Sequence, residues 1–565
     1  MKRTLSYLKP YSGRVAAELV FKAIGSAAEL FLPLIMEYMI DDVVPTKDVG
    51  AFMLMGAAML GFSFIALFGN IVANRMSATC AGGMTHDLRY ALFERISYLK
   101  SAQVDRFTAP SLISRLTSDT YYVNQAVART MRLGIRAPIL LVGGLVFSFV
   151  LDWRLALVLA ACVPFVVTAV VIITKKSVRM YAVVQANGDG AVRAMQENIT
   201  GIRVVKALSR TDREIKKFDG INSALAENEF RSNRITSLTN PLATLILNIG
   251  LVFVILVGAY VGAQAGTVLA FLSYFTLILN AMLGISKIFV VLSRGIASGQ
   301  RIEEVLATDP TMPVCDYPEG NSEYAIEFRG VSFSYNGTKD DVEDISFAVK
   351  KGQTVGVIGG TGSGKTTLIN LLMRFYDVDK GAVYVDGRDV RTFEGDELRA
   401  RFGVAFQSDF LIADTIRENI DYFRGIAEEN LKGASESAVA DEFIRAVEGG
   451  MDYRLAQKAT NLSGGQKQRL LIARALAGNP EILVLDDSSS ALDYATDAKL
   501  RKSLKERYSS CTKFIVAQRV SAVRHADLII VMDDGRICGK GTHEELMAGC
   551  EEYRLISLAQ MGGDL

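Results

Sequence analysis

Apolar and polar residues follow two different patterns along this chain, and the pattern changes near residue 307. Before that point, uncharged apolar runs of about 20 residues, the length that spans a bilayer as helix, recur between stretches with helical spacing. After it, short apolar runs alternate with helical segments, which is typical of an α/β domain. The pattern predicts an all-α first half and an α/β second half.

Six apolar runs in the first half are long enough to cross a hydrocarbon layer roughly 30 Å thick as helices. The first run is the weakest, because charged residues interrupt it. A buried soluble bundle would not need charge-free runs of this length. The predicted spans are 15–40, 50–74, 137–151 (extended by 133–135), 155–174, 238–266 and 267–286.

Basic residues close to the spans predict their orientation. The connections from span 2 to 3 and from span 4 to 5 carry many Lys and Arg, whereas the opposite connections are short or poor in them. The long connections and both termini are therefore expected in the cytoplasm. Helical spacing continues through the long connections, with breaks near 109–111 and 209–212, so the spans are expected to protrude well beyond the bilayer.

Two acidic residues of span 1, Glu29 and Glu37, allow two interpretations. They either face a water-filled interior or the end of the span, or one of them binds a cationic substrate. The net charge of +1 gives no indication of a nucleic-acid partner. The six cysteines are scattered without a C-x-x-C motif, so they are expected to be packing residues rather than disulfides or metal ligands.

A glycine-rich turn follows the apolar run 354–358 and precedes a helical pattern. Its spacing, G-x-x-x-x-G-K-T, lets backbone N–H groups point at a phosphate while Lys365 reaches the phosphate oxygens and the Thr366 hydroxyl ligates Mg²⁺. The turn predicts that the chain binds a nucleoside triphosphate. The residues assigned to the nucleotide are Gly359, Thr361, Gly362, Ser363, Gly364, Lys365, Thr366 and Thr367.

Two further motifs lie downstream. A buried strand, 482–485, ends in Asp486, which is placed to hold Mg²⁺ opposite the phosphate loop. The turn 462–466 leaves N–H groups open at a helix start, a second anion site. Two phosphate sites in one chain make sense if two such domains sandwich nucleotide between them.

Taken together, the motifs resemble those of an ATP-binding-cassette (ABC) exporter half-transporter. The resemblance covers nearly the whole chain and is most specific at GGTGSGKTT (359–367), LSGGQ (462–466), ILVLDD (482–487) and SALD (490–493). It implies a multidomain fold, with an all-α six-helix transmembrane domain (1–306), a linker (307–323) and an α/β P-loop nucleotide-binding domain (324–565). It also implies ATP and Mg²⁺ as cofactors.

The resemblance assigns further roles. Tyr335 matches the aromatic residue that stacks on adenine, and Gln407 matches the glutamine that contacts Mg²⁺ and senses the membrane helices. The 490–493 loop, ending in Asp493, matches the loop that reaches the opposite nucleotide. The breaks near Ser111 and Thr211 match the coupling helices. The signature residues that would complete the partner's site are Ser463, Gly464, Gly465 and Gln466.

Two positions depart from the family pattern. The glutamate that acts as general base is here Asp487, and the histidine that contacts the γ-phosphate is here Gln518. Asp is shorter by about 1 Å, a misplacement that costs on the order of 100-fold in rate, and Gln cannot carry the charge of an imidazolium. We expect this site to bind ATP well and hydrolyse it poorly; the alternative is that both substitutions are tolerated.

An impaired hydrolytic site beside an intact 462–466 motif resembles one subunit of the heterodimeric bacterial exporters. The implied partners are a homologous half-transporter, membrane lipid and a small amphipathic substrate, with multidrug efflux as the expected function. A lipid, peptide or siderophore substrate, a homodimeric transporter, and an ATP-binding sensor that transports nothing are the alternatives. The location expected is the cytoplasmic membrane, with the nucleotide-binding domain in the cytoplasm.

Overall fold

The computed structural model describes residues 2–407 and 410–561, and the chain forms two compact units. The first unit consists of Met1–Tyr98 and Thr108–Asp309, and the second of Leu99–Phe107 and Pro310–Leu565. A short segment from the first half of the chain, Leu99–Phe107, therefore belongs to the second unit.

Residues 2–307 are almost entirely helical. Two π-helical turns, Met39–Val43 and Arg115–Asp119, and a 3-10 turn, Lys9–Tyr11, interrupt the α-helices. The α-helices are α1 (Lys2–Ser6), α2 (Ser12–Tyr38), α3 (Val44–Thr46), α4 (Val49–Ser97), α5 (Ser101–Phe107), α6 (Ala109–Ser114), α7 (Thr120–Gly134), α8 (Arg136–Leu151), α9 (Trp153–Thr200), α10 (Ile202–Ala207), α11 (Thr211–Thr236), α12 (Thr239–Val261) and α13 (Ala265–Ala307).

Six helical stretches within the described residues are long and apolar enough to cross a membrane, which confirms the predicted number of spans. Helix α4 has 49 residues; at about 1.5 Å per residue it is roughly 70 Å long, far more than the layer requires. Non-helical backbone at Thr108 (φ 62°) and Ser209 (φ 52°) interrupts the two long connections next to the predicted breaks.

Aspartates begin two of the long helices at the short connections. The carboxylate of Asp48 accepts hydrogen bonds from the backbone N–H groups of Gly50 and Ala51 at 2.8 and 3.2 Å. The carboxylate of Asp152 accepts from Arg154 and Leu155 at 2.7 and 3.3 Å. Each cap satisfies N–H groups that have no partner within the helix, so these turns fix where α4 and α9 begin.

The second unit contains two sheets. Strands β2, β1, β4 and β5 form a four-stranded antiparallel sheet in that order, and the six-stranded sheet has the order β10-β9-β3-β8-β7-β6. The strands are β1 (Tyr324–Phe333), β2 (Val342–Lys350), β3 (Thr354–Gly359), β4 (Lys380–Val385), β5 (Arg388–Asp389), β6 (Phe402–Ala405), β7 (Ile482–Asp486), β8 (Thr512–Val516), β9 (Leu528–Asp533) and β10 (Arg536–Gly541).

Helices cover the six-stranded sheet and link its strands. In chain order they are α14 (Lys365–Leu372), α15 (Gly395–Arg399), α16 (Ile416–Asp421), α17 (Glu428–Ser437), α18 (Asp441–Ala446), α19 (Gly464–Ala477), α20 (Tyr494–Arg507), α21 (Val520–Val523), α22 (His543–Gly549) and α23 (Glu551–Met561).

The parallel strands of the larger sheet determine where the site lies. Strand β8 pairs in parallel with both β3 and β7, with Val357 and Asp486 each opposite Val516. Because parallel strands end at the same edge, the ends of β3, β7 and β8 lie side by side. Apolar side chains of α14, including Leu368 and Leu372, are fully buried beneath this edge and hold it in place.

Candidate functional site

The phosphate loop joins the end of β3 to the start of α14. Gly362 (φ 84°) and Gly364 (φ 96°) have left-handed backbone, which side chains disfavour. A Cβ atom on Gly359 would lie 2.1 Å from the Met532 carbonyl oxygen, whereas one on Gly360 would meet no atom within 4 Å. Glycine is therefore required at 362 and 364 by the backbone conformation and at 359 by the close contact with Met532, whereas the space beside Gly360 is open.

The side chain of Lys365 lies over this loop. Its Nζ donates to the carbonyl oxygens of Gly359 and Gly360 at 3.0 and 2.5 Å, and to the Ser363 hydroxyl at 3.3 Å. Burial lowers the Lys365 pKa, against the opposing attraction of Asp486 and Asp487. Hydrogen bonds to neutral oxygens only partly offset the free-energy cost of burying the charged ammonium group. A negatively charged phosphate oxygen would therefore bind it strongly.

The Thr366 hydroxyl and the Asp486 carboxylate lie together at the same edge. The Thr366 hydroxyl donates to Asp486 Oδ2 at 3.4 Å. Burial, and then the charge of Asp487, raise the Asp486 pKa, while Thr366 and Lys365 lower it. A hydroxyl beside a carboxylate suits Mg²⁺, which prefers oxygen ligands. Gln407 is exposed two residues beyond β6, the strand beside β7, so it follows a strand that ends at this edge.

Asp487 and Gln518 are in contact with each other. The Gln518 Nε2 donates to Asp487 Oδ2 at 3.4 Å, and the Asp487 N–H donates to the Val516 carbonyl at 2.8 Å. Asp487 has left-handed backbone, with φ 47°. Burial raises the Asp487 pKa, opposed by the Gln518 backbone N–H and the charges of Arg519 and Lys365. The structure thus brings the two departures from the family pattern together.

Tyr335 lies beside the first turns of α14. Its hydroxyl accepts from Asn370 Nδ2 at 2.9 Å and contacts the Thr367 hydroxyl at 3.5 Å. Its ring packs edge-on against Phe333 and Tyr376, with centroids 4.9 and 5.0 Å away. The side chain is exposed, and its role in stacking on adenine stays a prediction.

The signature turn, residues 462–466, lies at the start of α19, and its side chains and backbone hydrogen-bond to each other. The Ser463 hydroxyl accepts from the Gln466 N–H at 3.3 Å, and the Gln466 side-chain oxygen accepts from the Ser463 N–H at 2.8 Å, forming a capping box. Gly464 is exposed, and a Cβ on Gly465 would lie 3.1 Å from the Ala491 carbonyl oxygen. The turn therefore presents small residues at an open surface.

Asp493 caps α20. Its carboxylate accepts from the Thr496 N–H at 2.8 Å and from the Thr496 hydroxyl at 2.9 Å. These two hydrogen bonds lower the Asp493 pKa. Within this chain the side chain positions the start of a helix, and its predicted catalytic role would have to be exercised across a dimer.

In the first unit, Glu29 has partners that the sequence did not reveal. Its carboxylate accepts from Arg136 Nη2 at 2.9 and 3.2 Å and from Asn70 Nδ2 at 3.0 Å. Arg136 lies 107 residues away from Glu29 in the sequence. The one feature that could have pointed to this pair is that Arg136 is a single charged residue between the two apolar runs of the third span. Glu29 is thus neutralised within the chain, whereas Glu37 is partly exposed.

Comparison with known proteins assigns both units. The ABC transporter transmembrane region family matches residues 15–282, and the ABC transporter family matches residues 342–490. An ABC transporter ATP-binding protein of Mycobacterium tuberculosis is 35% identical over 98% of this chain and 97% of its own length. YfiB of Bacillus subtilis is 32% identical, covering 100% of this chain and 99% of the relative.

Two further similarities concern exporters. An ATP-dependent lipid A-core flippase of Pseudomonas fluorescens is 30% identical over 97% of this chain and 94% of its own. A solved bacterial Atm1-family ABC exporter with ATP bound superposes with a TM-score of 0.82 at 23% identity, covering 98% of this chain and 99% of that one. With such relatives along its whole length, this chain belongs to the ABC transporter family, as an exporter half-transporter that crosses the membrane six times and carries its ATPase domain in the cytoplasm.

Proposed function

We propose that this chain is the weakly hydrolysing subunit of a heterodimeric exporter that moves amphipathic, drug-like molecules across the cytoplasmic membrane. The observation that carries the proposal is the contact between Asp487 and Gln518 at 3.4 Å. The residue in the position of the general base and the residue in the position of the γ-phosphate sensor are bonded to each other, and neither has the side chain that the family uses.

The chemistry of these two residues disfavours hydrolysis. A carboxylate set back by about 1 Å loses on the order of 100-fold in proton abstraction from water. A neutral amide at position 518 provides a weaker donor than an imidazolium to a developing anion. In addition, the Gln518 amide is engaged by Asp487, so reaching a phosphate would cost this hydrogen bond.

Nucleotide binding requires neither residue. The loop 359–367, with Lys365, would hold the triphosphate, and Tyr335 would stack on adenine. Thr366, Asp486 and Gln407 would hold Mg²⁺, which when bound neutralises charge on the phosphates. The chain therefore retains the groups for binding ATP and lacks those for splitting it quickly.

The signature turn supports the proposal of an unlike partner. Ser463, Gly464, Gly465 and Gln466 match the family motif and lie at an open surface. In a dimer they would complete a nucleotide site built on the other subunit. A partner with the family glutamate and histidine would hydrolyse ATP there, while this chain's own site retains its nucleotide.

The test restores the two missing groups. In the assembled transporter, with the partner's own site inactivated, the double variant Asp487→Glu, Gln518→His should raise the ATPase rate at least about 10-fold, since each group is worth on the order of 100-fold and the effects are not additive. A matched control, Asp533→Glu with Gln457→His, changes the same residue types at exposed positions and should leave the rate unchanged. Robust, substrate-stimulated ATPase activity of the unmodified chain alone would contradict the proposal and favour a homodimer.

A lipid is the second candidate substrate, because relatives from Pseudomonas and Vibrio at 28–30% identity are named lipid A-core flippases. The internal pairing of Glu29 with Arg136 also removes one of the two carboxylates that favoured a cationic drug. Vesicles containing the assembled transporter distinguish the candidates. ATP-dependent accumulation of amphipathic dyes indicates drug export, and ATP-dependent movement of a fluorescent phospholipid between leaflets without dye transport indicates a flippase.

A further inference from the structure

Three metal-ligating side chains from separate elements meet at the C-terminal end of the second unit. Cys538 lies on β10, Cys550 follows α22, and Glu552 lies in the first turn of α23. Their two sulfur atoms and one carboxylate oxygen all lie within 4.8 Å of one another. This cluster could not be predicted from the sequence, because 11 residues separate the cysteines and neither belongs to a recognisable metal motif.

Close packing of β10 against α22 creates the cluster. A Cβ atom on Gly539 would lie 2.8 Å from Cys550 Sγ, so the strand approaches the end of the helix as closely as glycine permits. A capping box between Thr542 and Glu545 fixes the start of α22 directly after β10, with only the cap residue between strand and helix. The backbone packing of β10 against the end of α22 thus brings the two thiols together.

The polar contacts of the three groups are few. Cys538 Sγ donates to the Val531 carbonyl at 3.4 Å, and Cys550 Sγ donates to Glu552 Oε2 at 3.4 Å. Cys550 is buried, whereas Cys538 and Glu552 are exposed. Solvent and ions therefore reach the cluster from one side, and the opposite side is packed.

We propose that Cys538, Cys550 and Glu552 form a binding site for a soft divalent cation such as Zn²⁺. Zinc binds sulfur at about 2.3 Å and carboxylate oxygen at about 2.0 Å, which in a tetrahedral site places the ligand atoms roughly 3.5–4 Å apart. The spacing in the structure accommodates this arrangement with small side-chain rotations. Binding releases one proton from each thiol to solvent, and water fills the fourth position.

Helix α23 connects this site to the Gln518 segment. Near its other end, Gln560 Oε1 accepts from the Val520 N–H at 2.8 Å, and Gln560 Nε2 donates to the Gln518 carbonyl at 2.7 Å. Between them, the fully buried Tyr553 belongs to one apolar cluster with Cys550 and Ala517. A metal that fastens the start of α23 to β10 would therefore stabilise the helix that holds the backbone beside the nucleotide site.

Cobalt binding to the full-length chain in detergent tests the site, because Co²⁺ bound by thiolate absorbs in the near ultraviolet. One Co²⁺ per chain should give this absorption, and Zn²⁺ should displace it. Cys538→Ser should abolish the absorption, and Glu552→Gln should weaken binding on the order of 10-fold, as loss of an anionic ligand does. Cys315→Ser, which removes another exposed cysteine, should have no effect.

Hydrogen exchange provides a second measurement that does not depend on activity. Zn²⁺ should slow exchange of the Val520 amide in the unmodified chain and in Cys315→Ser, but not in Cys538→Ser. Absence of thiolate absorption, or absorption that survives Cys538→Ser, would overturn the site. Metal binding without slower Val520 exchange would overturn its connection to the Gln518 segment.

Discussion

The phosphate loop and the signature turn are both glycine-containing turns at the start of a helix, yet they satisfy their polar groups differently. The loop encloses a buried cation, Lys365, in its own carbonyl oxygens. The signature turn has no buried charge; Ser463 and Gln466 cap the helix, and Gly464 faces solvent. The phosphate loop therefore holds a positive charge that an anion can neutralise, whereas the signature turn offers only small residues and a capped helix start at an exposed surface.

Removing the buried cation should have the largest effect. Lys365→Ala should weaken ATP binding on the order of 100-fold, because hydrogen bonds to charged groups contribute about 1.5–3 kcal/mol each. Calorimetric titration of the purified chain with ATP and Mg²⁺ measures this directly. Lys502→Ala removes an exposed lysine of α20 and is expected to bind ATP normally; equal affinity in both variants would contradict the role assigned to the loop.

A negative charge introduced into the signature turn by substitution should impair ATP hydrolysis at the partner's site rather than ATP binding by this chain. In the assembled transporter, Gly465→Asp should lower steady-state ATP turnover on the order of 100-fold, because a carboxylate at an anion-binding turn repels the incoming phosphate. ATP binding by this chain should change less than about twofold, since the two motifs are separate. Gly433→Asp, a glycine of α17 whose Cβ would meet no atom within 4 Å, is the control. Loss of this chain's own ATP binding in Gly465→Asp would remove the contrast between the two turns.

The carboxylates of Asp486, at the end of β7 near the phosphate loop, and of Asp493, which caps α20, should affect stability in opposite directions, and this is the smallest expected effect. The Asp486 pKa is raised by burial, so the folded state binds the proton more tightly and stability falls as pH rises above the ordinary value of 3.8. Without nucleotide and with Mg²⁺ chelated, Asp486→Asn should therefore raise the melting temperature by a few degrees at pH 7, and the gain should vanish toward pH 4.

The Asp493 pKa is lowered by its hydrogen bonds with Thr496. Its contribution to stability is present above the ordinary pKa and lost as pH falls through the lowered value. Asp493→Ala should consequently lower the melting temperature at pH 7. Thermal unfolding monitored by intrinsic fluorescence measures both variants. Melting-temperature shifts of the same sign in Asp486→Asn and Asp493→Ala would contradict the opposite contributions of the two carboxylates.

Features encoded by neighbouring residues could be predicted from the sequence. The phosphate loop is recognisable because strand, glycines and lysine occupy consecutive positions, and the spans because hydrophobicity persists over the length of a bilayer. Both signals are local, so neither requires knowledge of how distant segments pack. The number of spans and the family followed from them.

Contacts between distant segments could not be predicted in this way. The salt bridge of Glu29 with Arg136 depends on how α2 packs near α8, and periodicity within one helix does not contain that information. The same applies to α5, whose Asp105 accepts a hydrogen bond from the Tyr376 hydroxyl in the second unit. The turn-forming residues near 110 predicted a break in the helix, but not the short helix α5 before it or the residues that α5 contacts.

The left-handed backbone of Asp487 determines what a longer side chain would cost at this position. Among residues with side chains, Asp and Asn adopt positive φ most readily, because their short polar groups hydrogen-bond locally and so offset the steric cost of the Cβ atom, which Glu offsets less well. With φ at 47°, a change from Glu to Asp relieves backbone strain. Asp487→Glu should therefore lower the melting temperature slightly, so a variant that lengthens the acid at this position is expected to carry a thermal cost whatever its effect on hydrolysis.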